Sequence, residues 1–345
     1  MRVLLWPSRL LDRLTSAHAA DPRRLRLAFL GVLAAVAILT GVKYAAKIAK
    51  PGDTGQQTRS AFLRWRELVN GVFAGENIYV GRNEYPNPPV MAVILRPFAA
   101  LPPVAGALAW FWAKVLLAAL AAVWTFRLVT ERQPAPARSP QGGGGVGRDL
   151  ARAAAVVLCL PPLLGDLSHN NVNIFILFLV AGCLEAFRRR LDTLAGLTLA
   201  LAVACKLTPA LFVAYFAWKR CWRLLAAALV GLVLWLAVVP VAIFGPDRTQ
   251  ELMSGWYSLM VERPLLKGEI TTEHPNQAVT GFVYRLFTHS PSYVVYPDNI
   301  PTPAEYHNLT DIGRPAAWVV VKLLTALFAL AVVGLCWARV RSPGD

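Results

Sequence analysis

The chain has 345 residues, of which 56% are hydrophobic and 16% charged, and its mean hydropathy is +0.47. Soluble domains have about 25% charged residues, so this composition excludes a soluble globular protein and an intrinsically disordered one. Lys and Arg number 35 against 20 Asp and Glu, which gives a net charge of +15. Because most basic residues lie beside apolar runs, the charge favours membrane orientation over nucleic-acid binding.

Apolar runs predict about eight transmembrane helices, since about 20 apolar residues cross a bilayer core. A first helix at 27–47 is preferred over a cleaved signal peptide, because its apolar region is long and no clear cleavage site follows. The run at 90–101 carries Arg96 and Pro97 and is predicted to be re-entrant or interfacial. The eight predicted spans are 27–47, 104–127, 152–165, 171–187, 193–205, 207–219, 222–244 and 315–337.

The spans at 152–165, 193–205 and 207–219 are too short for straight crossings. Helices that break at membrane depth are tolerated where they are buried in protein or line a wet cavity. We therefore expect a cavity near these segments. The whole chain, 1–345, is interpreted as a single integral membrane domain.

The Lys and Arg bias predicts that the N- and C-termini are cytoplasmic. Two long loops, 48–103 and 245–314, are then extracytoplasmic, and loops of this length are usually functional or disordered. The segment 128–151 contains a Pro/Gly-rich stretch and is predicted to be a cytoplasmic linker. The expected location is the bacterial plasma membrane.

Lys206 interrupts an apolar run, and Pro209 follows it closely. A central lysine costs about 2.5–3.5 kcal/mol on insertion scales, so such a residue normally faces a cavity or a partner. Pro209 cannot donate to the helical ladder, so we predict a break in the helix here. The functional interpretation is a cation directed at an anionic headgroup, and the alternative is a snorkelling lysine at a helix end.

A polar cluster lies where the third predicted span ends and the fourth begins. It consists of Asp166, Ser168, His169, Asn170, Asn171 and Asn173. Amides and an imidazole offer many hydrogen bonds without net charge, which suits sugar hydroxyls or a phosphate. The alternative is a polar turn between two helices.

Two further stretches lie in the long loops. Glu84 precedes Tyr85-Pro-Asn-Pro-Pro, where three prolines restrict the backbone to extended or turn geometry. In the second loop, His274 is followed by Asn276, Gln277 and Arg285, and an arginine beside an apolar patch suits a phosphate.

These four stretches, in their order along the chain, resemble glycosyltransferase family 87, a group of polytopic membrane enzymes of the GT-C type. The resemblance covers residues 60–290 approximately. Family members show Gly-x-x-x-Tyr followed by Tyr-Pro-Pro, a Gly-Gln-x-Asn turn, Lys-x-x-Pro, and Asn-Gln followed by Gly and Arg. The matching residues are Gly75 and Tyr79, Tyr85–Pro89 with Asn87 inserted, Asn173 alone of the turn, Lys206 and Pro209, and Asn276, Gln277, Gly281 and Arg285.

The resemblance implies an all-α helix bundle and inverting transfer of a hexose, such as mannose, from a polyprenyl-phosphate sugar to a lipid or glycan acceptor. It also implies a loop carboxylate as general base. The chain departs from the family here, because the register of the family's acidic residue gives Ala61-Phe62. We therefore expect Asp53 first, and Glu84 second, as the base.

The residues predicted to bind substrate are Lys206, Asn171, Asn173, His169, Tyr85, His274, Asn276, Gln277 and Arg285. No Asp-x-Asp motif or soluble nucleotide-sugar domain is apparent, so we predict no metal ion and no cofactor beyond the donor substrate. The expected partners are the donor, the acceptor and membrane lipids, without nucleic acid. A lipid or solute transporter, and a non-catalytic envelope subunit, are the alternative functions.

Overall fold

The computed structural model describes residues 22–49, 60–80, 85–131, 144–266, 270–274, 276–295 and 302–339. The described chain is mostly helical and divides into two compact units, Met1–Leu259 and Met260–Asp345. Five of the described helices are long and apolar enough to cross a bilayer: Arg23–Ile48, Pro103–Val129, Asp149–His169, Trp222–Phe244 and Arg314–Gly334. The prediction of a polytopic helical membrane protein is confirmed.

The first unit consists of eleven α-helices within the described residues. They are α1 (Pro22–Ile48), α2 (Ala61–Phe73), α3 (Pro89–Ala99), α4 (Pro103–Glu131), α5 (Gly144–His169), α6 (Asn173–Arg188), α7 (Asp192–Cys205), α8 (Leu211–Trp218), α9 (Trp222–Val233), α10 (Val239–Phe244) and α11 (Pro246–Tyr257). A π-helical segment, Leu234–Val238, joins α9 to α10. A second π-helical segment, Ser258–Leu266, follows α11.

Helix α5 extends further than the sequence predicted. The prediction ended this span at 165, but the helix continues through Pro161 and Pro162 to His169. The described candidate span is 21 residues long, so the prediction that this segment is too short to cross was wrong. The turn follows at Asn170, whose φ of 54° is in the left-handed region that Asn tolerates.

Helices α7 and α8 are separated by a break in the chain, at the position predicted for it. Helix α7 has 14 residues and ends at Cys205; a 3₁₀ turn, Thr208–Ala210, then leads into the eight-residue α8. Between them Lys206 has extended backbone, with φ −158° and ψ 131°. The predicted break beside Pro209 is therefore confirmed, and it leaves Lys206 at the point where the helix stops.

Helices α7 and α9 approach each other closely. A Cβ added to Gly196 would lie 2.3 Å from the carbonyl oxygen of Leu224, and one added to Gly231 would lie 2.6 Å from the Cβ of Ala200. Small residues at these positions let the two backbones pack, as is common between membrane helices.

The turns that end α6 and α8 share one geometry. Arg190 and Arg220 have φ values of 63° and 55°, in the left-handed region. The next residues, Leu191 and Cys221, each donate their N–H to a helix carbonyl, 2.9 Å away in both cases. These bonds close both helices with a Schellman motif, in which an arginine holds the position that glycine usually takes.

Helices α2 and α3 explain two of the sequence motifs. Helix α2 ends in a Schellman motif, with Gly75 at a φ of 97° and the N–H of Glu76 bonded to the carbonyl of Gly71 at 2.9 Å. Helix α3 begins at Pro89, where the missing N–H of proline is harmless. This helix has 11 residues, fewer than a crossing requires; its interfacial or re-entrant placement stays a prediction.

The second unit contains α12 (Val279–Phe287), a two-stranded antiparallel hairpin and α13 (Arg314–Arg339). Strand β1 (Pro291–Val295) pairs with β2 (Thr302–Tyr306), with Pro291 opposite Tyr306 and Tyr293 opposite Glu305. The purely helical prediction did not include this hairpin. Four buried apolar residues pack α12 against α13: Val283, Tyr284, Ala317 and Val321.

Candidate functional site

A cavity of about 520 Å³ lies between α5 and α6, within the size range of small-molecule sites. One part of its lining is apolar and comes from both helices: Cys159, Pro162, Leu163, Ile174 and Leu177. The other part is polar and surrounds the α5–α6 turn: Asp166, His169, Asn171 and Asn173. The cavity can therefore hold an amphiphile whose head lies at the turn.

Lys206 reaches this polar end. Its Nζ donates a hydrogen bond to Oδ1 of Asn173, a residue that lines the cavity. The break after α7 is what places the ammonium group here, because Lys206 no longer follows the helical direction. The structure thus brings together four of the nine residues predicted to bind substrate: Lys206, Asn173, Asn171 and His169.

A second lysine, which the sequence analysis did not single out, stands behind the cavity. Nζ of Lys114 lies 3.0 Å from Oδ1 of Asp166, and the two side chains are 0% and 6% exposed. The other carboxylate oxygen, Oδ2, accepts the backbone N–H of Asn173 at 3.2 Å. Lys114 is a lone lysine in the apolar helix α4, the same signal that identified Lys206, so the sequence could have revealed it.

The α5–α6 turn is held by side chains and backbone of two other helices, α1 and α4. Asn170 is fully buried, and its Nδ2 donates to the hydroxyl of Tyr44 at 2.8 Å and to the carbonyl of Ala107 at 2.9 Å. Lys47 donates to the carbonyl of Ser168 at 3.1 Å. Among the described side chains, three ammonium groups and one carboxylate lie around this turn, which gives it the local positive charge that favours an anionic headgroup.

Tyr85 is buried in the same unit. Its ring meets that of Trp65 edge-on at 5.8 Å, and burial raises the pKa of its hydroxyl well above the ordinary value. Tyr85 belongs to the buried apolar cluster that also contains Cys205 and Val172, the chain neighbours of Lys206 and Asn173. This arrangement favours a role in supporting the site over contact with substrate.

The two predicted bases, Asp53 and Glu84, lie outside the described residues. Ala61 and Phe62, at the register of the family's acidic residue, are buried at the start of α2. The choice of the general base stays a prediction.

The fourth motif lies in the second unit and forms a tied loop before α12. Nδ2 of Asn276 donates to the carbonyl of Thr271 at 2.7 Å, and Nε2 of Gln277 donates to that of His274 at 2.5 Å. A Cβ on Gly281 would lie 2.7 Å from Cγ of Asn276, so glycine is needed for this contact. The motif residues therefore order the loop that carries His274.

Arg285 closes the same loop. It is 7% exposed, and its Nη1 donates to the carbonyls of Thr272, Glu273 and Asn276 at 3.2, 2.7 and 2.8 Å. The sequence suggested that Arg285 binds a phosphate directly. These three bonds favour a positioning role, with the loop rather than the guanidinium presented outwards.

Comparison with known proteins gives the family. The sequence model of glycosyltransferase family 87 matches residues 85–345. A curated relative from Mycobacterium tuberculosis, the polyprenol-phosphate-mannose-dependent alpha-(1-2)-phosphatidylinositol mannoside mannosyltransferase, is 33% identical over 187 residues. That alignment covers 51% of this chain and 41% of the relative, so the chain spans less than half of the relative's length.

No solved structure matches the chain. The family model covers well over half of the chain and includes the Tyr85, Asn173, Lys206 and Arg285 motifs, so the chain belongs to glycosyltransferase family 87.

Proposed function

We propose that the protein transfers a mannosyl group from a polyprenyl-phosphate mannose to a lipid or glycan acceptor at the extracytoplasmic face of the membrane. The family membership supports the reaction class, and the name of the relative supports the donor. Transfer proceeds with inversion, and a loop carboxylate deprotonates the acceptor hydroxyl. The polyprenyl-phosphate mannose is the activated sugar donor, and its phosphate is the leaving group.

One observation carries the proposal. The apolar cavity between α5 and α6 ends at Asn173, whose side-chain oxygen accepts a hydrogen bond from the ammonium group of Lys206. The apolar lining suits part of a prenyl chain, and the polar end suits a phosphate and a sugar. Negative charge grows on the phosphate as the sugar leaves. A fixed ammonium group stabilises that charge, and a phosphate leaving group needs little protonation.

Asp166 is the described carboxylate at this cavity, but its bonds suit another role. One oxygen pairs with Lys114, and the other accepts the N–H of Asn173. A carboxylate held in this way orients Asn173 and neutralises Lys114, which leaves the base to a loop residue, Asp53 or Glu84.

The direct test is to incubate reconstituted protein with radiolabelled polyprenyl-phosphate mannose and a membrane lipid extract. Label in a new glycolipid or glycan supports the transferase. Movement of intact donor across the bilayer without bond formation would instead indicate a transporter, and neither result would indicate a non-catalytic subunit.

Lys206→Met should weaken donor binding by about 10- to 100-fold, since a hydrogen bond to a charged group contributes about 1.5–3 kcal/mol. Binding of the labelled donor to purified protein measures this. Lys322→Met is the control: that lysine lies over the Trp318 ring on α13, with its Nζ 5.5 Å from the ring centroid. Equal donor binding by Lys206→Met and wild type would contradict the role of Lys206 in holding the donor phosphate.

Asp53→Asn should abolish sugar transfer while donor binding is retained, because a base acts on the acceptor and not on the phosphate. Glu84→Gln provides the comparison. If Asp53→Asn turns over normally and Glu84→Gln does not, Glu84 takes the role. Full turnover by both variants would contradict a base at either position.

A further inference from the structure

The second unit brings together three side chains that metal ions favour. His274 lies in the loop before α12, Glu305 lies in β2, and His307 follows that strand. One ligand atom from each lies within 4.8 Å of the other two. The candidate site is independent of the proposed transfer reaction and of the cavity between α5 and α6.

The distances suit tetrahedral coordination. Oε2 of Glu305 lies 3.4 Å from Nε2 of His307 and 3.9 Å from Nε2 of His274. Ligands bound to zinc at about 2.0–2.2 Å are separated by about 3.3–3.6 Å along the edges of the tetrahedron. The Glu305–His307 edge already has this length, and a small rotation of two exposed side chains closes the others.

The backbone fixes the three residues in place. The N–H of His274 bonds to the carbonyl of Ser292 in β1 at 2.9 Å. The hydroxyl of Ser292 donates to the carbonyl of Glu305 at 3.0 Å, which ties β1 to β2 beside the cluster. The ring centroids of His274 and His307 are 5.2 Å apart, so the imidazole from the loop and the one that follows β2 already lie side by side.

We propose that His274, Glu305 and His307 bind one zinc ion, with water as the fourth ligand. Two imidazoles and one carboxylate are a donor set of open zinc sites, whereas calcium and magnesium prefer oxygen ligands throughout. The ion ties the loop before α12 to a two-stranded hairpin, a structure that is marginal on its own. The sequence predicted no metal ion because it shows no Asp-x-Asp motif and no nucleotide-sugar domain. The two histidines are 33 residues apart, and only the folded hairpin brings them together.

The test uses full-length protein in detergent, freed of any histidine tag and of metal by chelation. Zinc content after dialysis is measured by elemental analysis, and Co²⁺ serves as the spectroscopic probe. We expect one equivalent of either ion per chain, and a visible Co²⁺ spectrum of the four-coordinate type. Loss of a partner that only orients a ligand weakens binding about 10- to 100-fold, so His274→Ala and His307→Ala should each weaken it at least as much.

His289→Gln is the control, because His289 lies in the same unit, stacked on Tyr306 at 4.4 Å, and is not one of the three ligands. Glu305→Gln is the milder third variant, and gel filtration with circular dichroism shows which variants fold. Metal content unchanged in folded His274→Ala and His307→Ala overturns the proposal. Cysteine-to-cobalt charge-transfer bands, or a wild type that retains no zinc, overturn it as well.

Discussion

Lys114 and Asp166 form a buried ion pair, which we expect to affect the free energy of unfolding more than donor binding. Lys114→Met should destabilise the protein by about 3–5 kcal/mol, because it leaves a carboxylate buried without its partner. The double variant Lys114→Met/Asp166→Asn should recover much of that loss. Reversible unfolding in mixed micelles measures both, with Lys322→Met as a control. Equal stability of the single and double variants would contradict the cost assigned to the unpaired carboxylate.

Single residues were the most predictable level of the site. A lysine within an apolar run is costly to insert into a membrane, so Lys206 could be identified from its apolar neighbours in the sequence. The contact of Lys206 with Asn173 could not be predicted, because 33 residues separate them and the helix break sets the direction of the side chain. Arg285 shows the opposite limit, since the sequence cannot tell whether a guanidinium will meet a phosphate or backbone carbonyls.

At the scale of elements, the packing of α7 against α9 depends on Gly196. Gly196→Ala should destabilise the protein by about 1–3 kcal/mol, because its Cβ would lie 2.3 Å from a backbone carbonyl oxygen that cannot move alone. Gly31→Ala in α1 is the matched control, since no atom within 4 Å meets its Cβ. Thermal unfolding in detergent measures both variants. Equal midpoints would contradict the claim that stability depends on the close packing of α7 and α9 at Gly196.

Element boundaries were predicted where the chain itself signals them. Pro89 begins α3, and Lys206 with Pro209 ends α7, as expected from the lost N–H of proline. Pro161 and Pro162 gave the same signal within α5, yet the helix continues. Membrane helices tolerate proline where neighbouring groups satisfy the freed carbonyls, and this tertiary effect is absent from the local sequence.

For the whole molecule, the number of crossings decides which side each loop faces. The eight predicted spans place the 128–151 linker and the 245–314 loop on opposite sides, whereas the five long helices alone would place them on the same side. We expect eight. In a cysteine-free background, Leu309→Cys should react with an impermeant maleimide in intact cells, and Gly142→Cys only after permeabilisation. Equal accessibility of the two cysteines, whether both react in intact cells or neither does, would contradict the eight-span topology and the extracytoplasmic site.

The arginine turns after α6 and α8 have a consequence for biogenesis. Arg190 and Arg220 hold left-handed backbone at about 1–2 kcal/mol each, a strain that glycine would avoid. Both are basic residues in very short connections, where positive charge directs how a helical hairpin enters the bilayer. Replacing both with glycine should relax the native backbone while lowering the fidelity of insertion. The orientation of the helical hairpin during insertion thus explains why arginine occupies two positions at which the folded backbone favours glycine.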